Sequence, residues 1–317
     1  MVQVIILSPI RIGGAYNWAK QYAKALELED INTSIIKNPL KVLTATKMED
    51  TIIHSSAIPL PYRPKNVNFI FTLHGIYKTE ENPWKILYPL TITNSDTITV
   101  PSYFLKEVLG LDDAIVIPNG IFPEEFQIKD SNSQGNSDII KVLTITNFHF
   151  LGKAEGVLTL YKIMREVAHN VSTNNINWYI AGSGKYLQQI KSSIFSSPIP
   201  ENLNITFLGF VDTPKFLLQK ADIFSYYSYN DNFPLVFLEA MASMVPVITN
   251  NVGATKEIIA TGVDGIVVEN RDKYVDELIK LILNPRLRSK LAIQARKKIE
   301  RKFNWHNLVK EYLKIIS

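Results

Sequence analysis

The sequence predicts an α/β chain built on two open, mostly parallel sheets, and three observations predict it. Short β-rich apolar runs alternate with helical patterns from one end to the other. Strands separated by helices make βαβ units, the connection that parallel pairing requires. The length, 317 residues, exceeds the roughly 250–300 residues at which a single core stops growing. Near the middle, residues 130–138 are all polar or glycine, the composition of a linker.

In the first half, the runs at 4–7, 33–36, 68–73, 97–100 and 114–117 read as strands, with helices at 16–28 and 103–109. Val, Ile, Thr and Phe dominate these runs, as suits a pleated surface that is covered on its faces. The second half repeats the theme. Its strands are expected at 141–146, 177–181, 204–208, 222–226, 245–249 and 265–268, and its helices at 156–169, 186–195, 213–220, 234–242 and 272–283. The expected division is a first domain over 1–130, a linker over 131–137, and a second domain over 138–302. Open α/β sheets bind ligands at the carboxyl ends of their strands, so a ligand held between two such domains is expected.

Composition narrows the chemistry. The chain has no cysteine, which removes disulfides, thiolate catalysis and thiolate-bound zinc. No apolar run reaches the about 18–20 residues that span a bilayer. The opening run meets Pro9 at once and lacks a basic flank, so it reads as a buried strand and implies residence in the cytoplasm. The net charge of +4 is uneven: residues 1–137 carry 12 Lys/Arg against 14 Asp/Glu, and 138–317 carry 22 against 16. Much of that excess lies at 286–302, a solvated helix face or a contact for an anionic surface. Nothing in it resembles a nucleic-acid motif.

Several stretches could carry chemistry. Gly13 and Gly14 stand between the first strand and its helix, where small residues let backbone N–H groups approach an anion. The turn "AGSGK" that contains Gly182 is not a Walker A loop, because Tyr179 and Tyr186 hold the positions of its first glycine and its Ser/Thr. A turn near a phosphate or a ribose remains open. His74 ends a buried strand, as does His149, whereas His54, His169 and His306 have no special context. No two aspartates stand two apart, so the Asp-x-Asp that bridges a metal to a diphosphate is missing. In "NDNFPLVFLEAMASMVPVIT", Asp231 falls in a loop after a strand. Pro234 suits a first helical turn, and Glu239 follows with seven residues between the two acids. A carboxylate near a helix start is favoured by the dipole and can accept hydrogen bonds from vicinal hydroxyls.

The stretch "DNFPLVFLEAMASMVPVI", followed by "GATKEII", resembles the donor-site signature of retaining GT-B glycosyltransferases of the family 4 type, the glycosyl transferases group 1. The likeness runs along most of the chain, through "GGAYNWAKQYAKAL", "FTLHGIY", "IVIPNGIFPEEF", "NWYIAGSGKYLQQI", "NITFLGFVD" and the terminal "FNWHNLVKEYLKIIS". It implies two Rossmann-like domains facing across a cleft. The terminal helix, about 303–317, would cross back onto the first, acceptor-side domain, and the second would bind the donor.

The resemblance also implies roles. Glu239 would hold the ribose of a nucleotide-diphosphate sugar, Asp231 the transferred sugar, and Lys153 the diphosphate. Gly13 and Gly14 would lie against the phosphates or the acceptor, His74 beside the reacting sugar, Val211 near the base, and Glu257 near the sugar. The expected partners are a sugar-nucleotide donor and a glycan or lipid-linked acceptor, with no metal cofactor and no nucleic acid. Peripheral contact with the inner face of the membrane would run through 286–302. Four positions depart from the family pattern. Phe148 stands where an arginine is usual five positions before the lysine, Asp231 is one methylene shorter than the usual Glu, and Ala254 and Met244 replace glycines. Lys185, His149 or Arg11 could stand in for the arginine. Phe148 motivates one alternative, a sugar-nucleotide-binding protein whose phosphate site has decayed; an epimerase on the same fold is another.

Overall fold

A computed structural model of the chain describes residues 2–10, 13–42, 51–60, 62, 67–79, 83–128, 139–171 and 174–316. Arg11 and the expected linker 131–137 lie outside the described residues. The chain divides into two compact units: Met1–Phe122 with Arg301–Ser317, and Pro123–Glu300.

The first unit carries β1 (Gln3–Leu7), β2 (Asn32–Ile36), β3 (Thr51–Ser56), β4 (Asn68–Thr72), β5 (Thr97–Val100) and β6 (Ile115–Val116). They form one sheet in the order β2-β1-β3-β4-β5-β6, and every pairing is parallel. The strand order reverses between β1 and β3, which makes their carboxyl ends the switch point where such sheets take ligands. Helices α1 (Gly14–Glu27), α2 (Tyr88–Asn94) and α3 (Tyr103–Leu109) connect the strands. Ser102 caps α3 by accepting the Leu105 N–H, and Gly110 closes it in the left-handed conformation at φ +67°.

Strand β3 escaped the sequence reading, and its residues give the reason. Thr51, His54, Ser55 and Ser56 are all buried on a central strand, where an apolar run is the usual signal. His54 Nε2 pairs with Thr72 Oγ1 at 2.6 Å. The His54 ring meets Trp18 and Tyr22 at their edges, with centroids 5.3 and 4.9 Å away. His54 is therefore a core residue of the first unit, contrary to the expectation that it had no special context. Burial, with His74 nearby, pushes its imidazole down to about 3, so it stays neutral.

The C-terminal helix α11 (Trp305–Ile316) belongs to this same unit. Its buried Trp305, Leu308, Val309 and Tyr312 share a core with Trp18, Tyr22 and Leu26 of α1. The Tyr22 and Tyr312 rings stand 4.7 Å apart. The terminal helix thus returns to the first helix, as the family resemblance implies.

The second unit carries β7 (Ile139–Ile145), β8 (Asn175–Ala181), β9 (Leu203–Gly209), β10 (Ile223–Tyr226), β11 (Val247–Asn250) and β12 (Ile266–Val268). Its sheet order is β12-β11-β10-β7-β8-β9, again parallel throughout. Counted from β7, this is the Rossmann order, with its reversal between β7 and β10. The helices are α4 (Leu151–Asn170), α5 (Leu187–Phe195), α6 (Lys215–Lys220), α7 (Leu235–Ala242), α8 (Thr255–Ile258), α9 (Arg271–Leu283) and α10 (Pro285–Lys302). Trp178, Leu160, Met164, Tyr274 and Leu278 lie in one core on the face covered by α4 and α9.

Candidate functional site

The switch point of the second unit holds a partly buried ion pair. Strand β7 ends at Ile145, and the chain passes over residues 146–150 into α4, which puts Lys153 in the first turn of that helix. Strand β10 ends at Tyr226, and the following loop carries Asp231. Two glycines let helix and loop meet. A Cβ on Gly156 would stand 1.9 Å from the Tyr227 carbonyl oxygen, and one on Gly152 would stand 3.2 Å from the Asn230 Cβ. The Tyr229 N–H also donates to the Gly152 carbonyl at 3.1 Å.

This approach brings the Lys153 ammonium 2.6 Å from Asp231 Oδ2. The same oxygen accepts the Tyr226 hydroxyl at 2.7 Å, and Oδ1 accepts the Asn232 N–H at 2.9 Å. The loop is clamped from behind. Asn250 accepts the Ser228 N–H at 2.9 Å and donates to the Ser228 carbonyl at 2.8 Å. Tyr274 donates to the Ile248 carbonyl at 2.9 Å and accepts the Tyr226 N–H at 3.1 Å. Tyr226, Asn250 and Tyr274 escaped the sequence reading, since a tyrosine ending an apolar strand reads as core. The signal that could have found Tyr226 is its place at the carboxyl end of a strand, five residues before the acid.

Gly182 lies against the loop that leaves β7. At φ +139° its Cβ would stand 1.9 Å from the Thr146 carbonyl oxygen, and a Cβ on Gly184 would stand 2.2 Å from the Phe148 carbonyl carbon. The turn after β8 therefore rests on the backbone leaving β7. Phe148 donates its N–H to Ser183 and accepts the Tyr186 N–H, both at 3.0 Å, while its ring is fully buried in the core. The side chain in the usual arginine's place is a packing residue. Val211 follows β9 on the same edge, where the Gly182 N–H donates to the Gly209 carbonyl at 2.7 Å.

Glu257 sits exposed on α8, behind a loop tied to Asp231. Ala254 donates its N–H to the Asn232 carbonyl at 2.8 Å. Glu239 is set apart from the ion pair. It is the fifth residue of α7, and Pro234 precedes the helix instead of opening its first turn. The dipole expected to favour its charge fades beyond that turn. Solvent reaches part of the side chain, yet burial pushes its carboxyl up to about 7 against the pull of Lys215. Lys215 itself pairs with Glu125 at 2.6 Å. Among the described residues, no hydrogen bond holds the Glu239 carboxyl group.

The first unit gathers its own candidates. Gly13 precedes α1 with extended backbone at φ 173°, and a Cβ there would meet nothing within 4 Å. Gly14 is the first residue of that helix. His74 follows β4, and its Nε2 lies 3.1 Å from Ser56 Oγ. Ser56 Oγ also lies within hydrogen-bond distance of the Ala15 carbonyl, to which it can donate at 3.1 Å. Burial pushes the His74 imidazole down to about 3. Ala15, which follows Gly14, thus meets Ser56, and Ser56 meets His74, at one end of one sheet. No group of three or more His, Asp or Glu among the described residues is placed to hold a metal ion.

Comparison with known proteins identifies the arrangement. The family described as "Glycosyl transferases group 1" matches residues 132–298, more than half of the chain. Among curated relatives, the chain is 29% identical over 259 residues to "Uncharacterized glycosyltransferase MJ1607" of Methanocaldococcus jannaschii, covering 76% of this chain and 65% of the relative. It is 26% identical over 264 residues to N-acetyl-alpha-D-glucosaminyl L-malate synthase of Bacillus anthracis, covering 78% and 67%. The chain therefore spans about two thirds of the length of these relatives. Among solved structures, Anabaena Alr3699/HepE in complex with UDP and glucose superposes with a TM-score of 0.77 at 14% identity, covering 99% of both chains. Sucrose-phosphate synthase from Thermosynechococcus elongatus gives 0.76 at 15%, covering 99% and 98%. The two parallel sheets are those of the GT-B fold, and the chain belongs to the glycosyl transferases group 1 family.

Proposed function

We propose that the protein transfers a sugar from a nucleotide-diphosphate donor to an acceptor hydroxyl, with retention at the anomeric carbon. The observation that carries this reading is the Lys153–Asp231 pair at the switch point of a Rossmann-order sheet, within the stretch that matches the family. Lys153 and the amides opening α4 neutralise the diphosphate. Glu239 accepts hydrogen bonds from the ribose diol, Asp231 and the loop of Glu257 face the transferred sugar, and Val211 and Gly182 border the nucleotide. The first unit offers Gly13 and Gly14 to a phosphate or acceptor, and His74 as a neutral hydrogen-bonding group beside the reacting sugar. In the transfer, the bond from the anomeric carbon to the diphosphate oxygen breaks. The bond to the acceptor oxygen forms on the same face, and the hydroxyl proton passes to the departing diphosphate. No protein nucleophile and no metal takes part in this step.

A panel of nucleotide-diphosphate sugars incubated with glycan and lipid-linked acceptors, and read by mass spectrometry, tests the activity. Donor binding without turnover across that panel favours a binding protein, and donor conversion without acceptor favours an epimerase. The ribose contact has its own signature. A carboxylate accepts both diol protons, whereas a neutral carboxyl group gives up part of that capacity. With the group at about 7 in the free protein, donor affinity rises with pH by up to about tenfold per unit below 7 and levels off above it. The donor's diphosphate diester does not titrate in this range, and Glu239→Gln flattens the curve. A wild-type curve that is already flat sinks the assignment of Glu239.

Helix α10 is proposed as a peripheral contact for anionic lipid at the inner face of the membrane. Arg286, Lys290 and Lys297 lie exposed on one face of it beside Ile293. No described helix is long and apolar enough to cross a membrane. The protein is expected to float with anionic liposomes at low salt and to be released at high salt. Failure to float at low salt removes the contact.

A further inference from the structure

We propose that Asp231 is the resident counter-ion of Lys153, held in place by Tyr226, and that an incoming diphosphate takes the ammonium over from it. The inference rests on the reading of Lys153 as the diphosphate-binding cation and adds a specificity device to it.

Asp231 is committed before any ligand arrives. Oδ2 takes the Lys153 ammonium at 2.6 Å and the Tyr226 hydroxyl at 2.7 Å, and Oδ1 takes the Asn232 N–H. Its side chain is 10% exposed and that of Lys153 is 21% exposed, so solvent screens the pair less than it would a surface pair. Tyr226 is buried at a strand end and pinned through its backbone by Tyr274. Burial and the neighbouring carboxylate hold its phenol well above the ordinary tyrosine range. It therefore acts as a fixed proton donor. Phe148 has its ring in the core, so no guanidinium stands at that position to share the work.

The consequence is electrostatic. A lone lysine at a helix start would hold any phosphate, whereas this one is nearly neutralised by its partner. A bare diphosphate that draws the ammonium away leaves the Asp231 carboxylate short of a donor and close to new negative charge. A diphosphate that carries a sugar repairs the loss, because sugar hydroxyls can donate to the carboxylate that the ammonium has left. The pair thus favours the intact donor over the bare nucleoside diphosphate that transfer releases. Tyr226 draws charge from Oδ2 and so weakens the grip of the carboxylate on the ammonium, easing the exchange. It is a positioning residue, since it acts through the Asp231 carboxylate.

Calorimetric titration of UDP, GDP and ADP, and of their sugar esters, tests this on Asp231→Asn, Tyr226→Phe and Lys153→Met. Asp231→Asn is expected to tighten the bare diphosphate by about fivefold, the scale of a partly exposed ion pair, while the sugar ester gains nothing. Tyr226→Phe is expected to shift the bare diphosphate the other way, by about threefold. A merely structural role for either residue would weaken both ligands together. If Asp231→Asn leaves the bare diphosphate unchanged and weakens only the sugar ester, Asp231 is a sugar contact alone, with no hold on the ammonium, and the inference fails. If it weakens the bare diphosphate, the inference fails too. If Lys153→Met leaves every affinity unchanged, the reading of Lys153 falls and takes the inference with it. A Lys153 effect without the opposed Asp231 and Tyr226 effects sinks the inference alone.

Discussion

Replacing Lys153 with alanine is expected to lower sugar transfer by about 10²–10³-fold, the cost of removing one preorganised group from developing charge. The size follows from how little else stands there. The ammonium projects from the first turn of α4, where backbone amides already favour an anion. The usual second cation is replaced by Phe148, which is fully buried. Charge builds on the diphosphate oxygen as the sugar leaves, so the loss falls on turnover more than on donor affinity. Lys162 lies exposed on the same helix, and Lys162→Ala serves as the control, with transfer retained. Thermal unfolding of both variants separates a lost contact from a lost fold. Transfer by Lys153→Ala within about threefold of wild type would remove Lys153 from the reaction.

Strands such as Asn68–Thr72 and Thr97–Val100 stand out because they are rich in Ile, Val, Phe and Thr, the β-branched and aromatic residues that suit a covered strand. Strand β3 does not, because His54 and Ser56 gain their partners only from α1, β4 and the chain after it. Helix α2 hides for another reason. Thr91, Ile92 and Thr93 read against a helix, yet the two threonine hydroxyls bond back to the Leu87 and Pro89 carbonyls at 2.9 and 3.0 Å. The site divides in the same way. Glu239 is legible because a carboxylate inside an apolar helix stands out, whereas Asp231 and Lys153 are legible through the ordered motifs of the family resemblance. Tyr226 is not, since nothing local distinguishes its hydroxyl from a core tyrosine's. Phe148 reads as a missing phosphate ligand, whereas in three dimensions it fills the core beneath the turn of Gly182. The environment of Glu239 was also beyond reach, because Lys215, whose charge opposes the effect of its burial, comes from another helix.

The loop that carries Glu257 is expected to tolerate no side chain at Gly253. Gly253 lies at φ +56°, and a Cβ there would stand 2.2 Å from the Asp231 carbonyl oxygen and 2.7 Å from that of Asn232. Neither neighbour can yield easily, since both are backbone and Asn232 also accepts the Ala254 N–H at 2.8 Å. Two costs therefore combine in Gly253→Ala. Left-handed backbone costs about 1–2 kcal/mol for a residue with a Cβ, and the clash must be relieved by driving the 253–257 loop away from Asp231. Gly262 separates them. It too has positive φ, at +78°, but a Cβ there meets nothing within 4 Å. Gly262→Ala is expected to lower stability by about 1–2 kcal/mol and to leave donor affinity intact. Gly253→Ala is expected to lose about 1–3 kcal/mol more, in the range of forced overpacking. It should also weaken donor binding, because displacing the Asp231 backbone moves the carboxylate that Lys153 faces at 2.6 Å. Denaturant melts of the two variants, with donor titration on each, decide the matter. Equal stability losses with unchanged affinity would mean that the loop can move without disturbing Asp231.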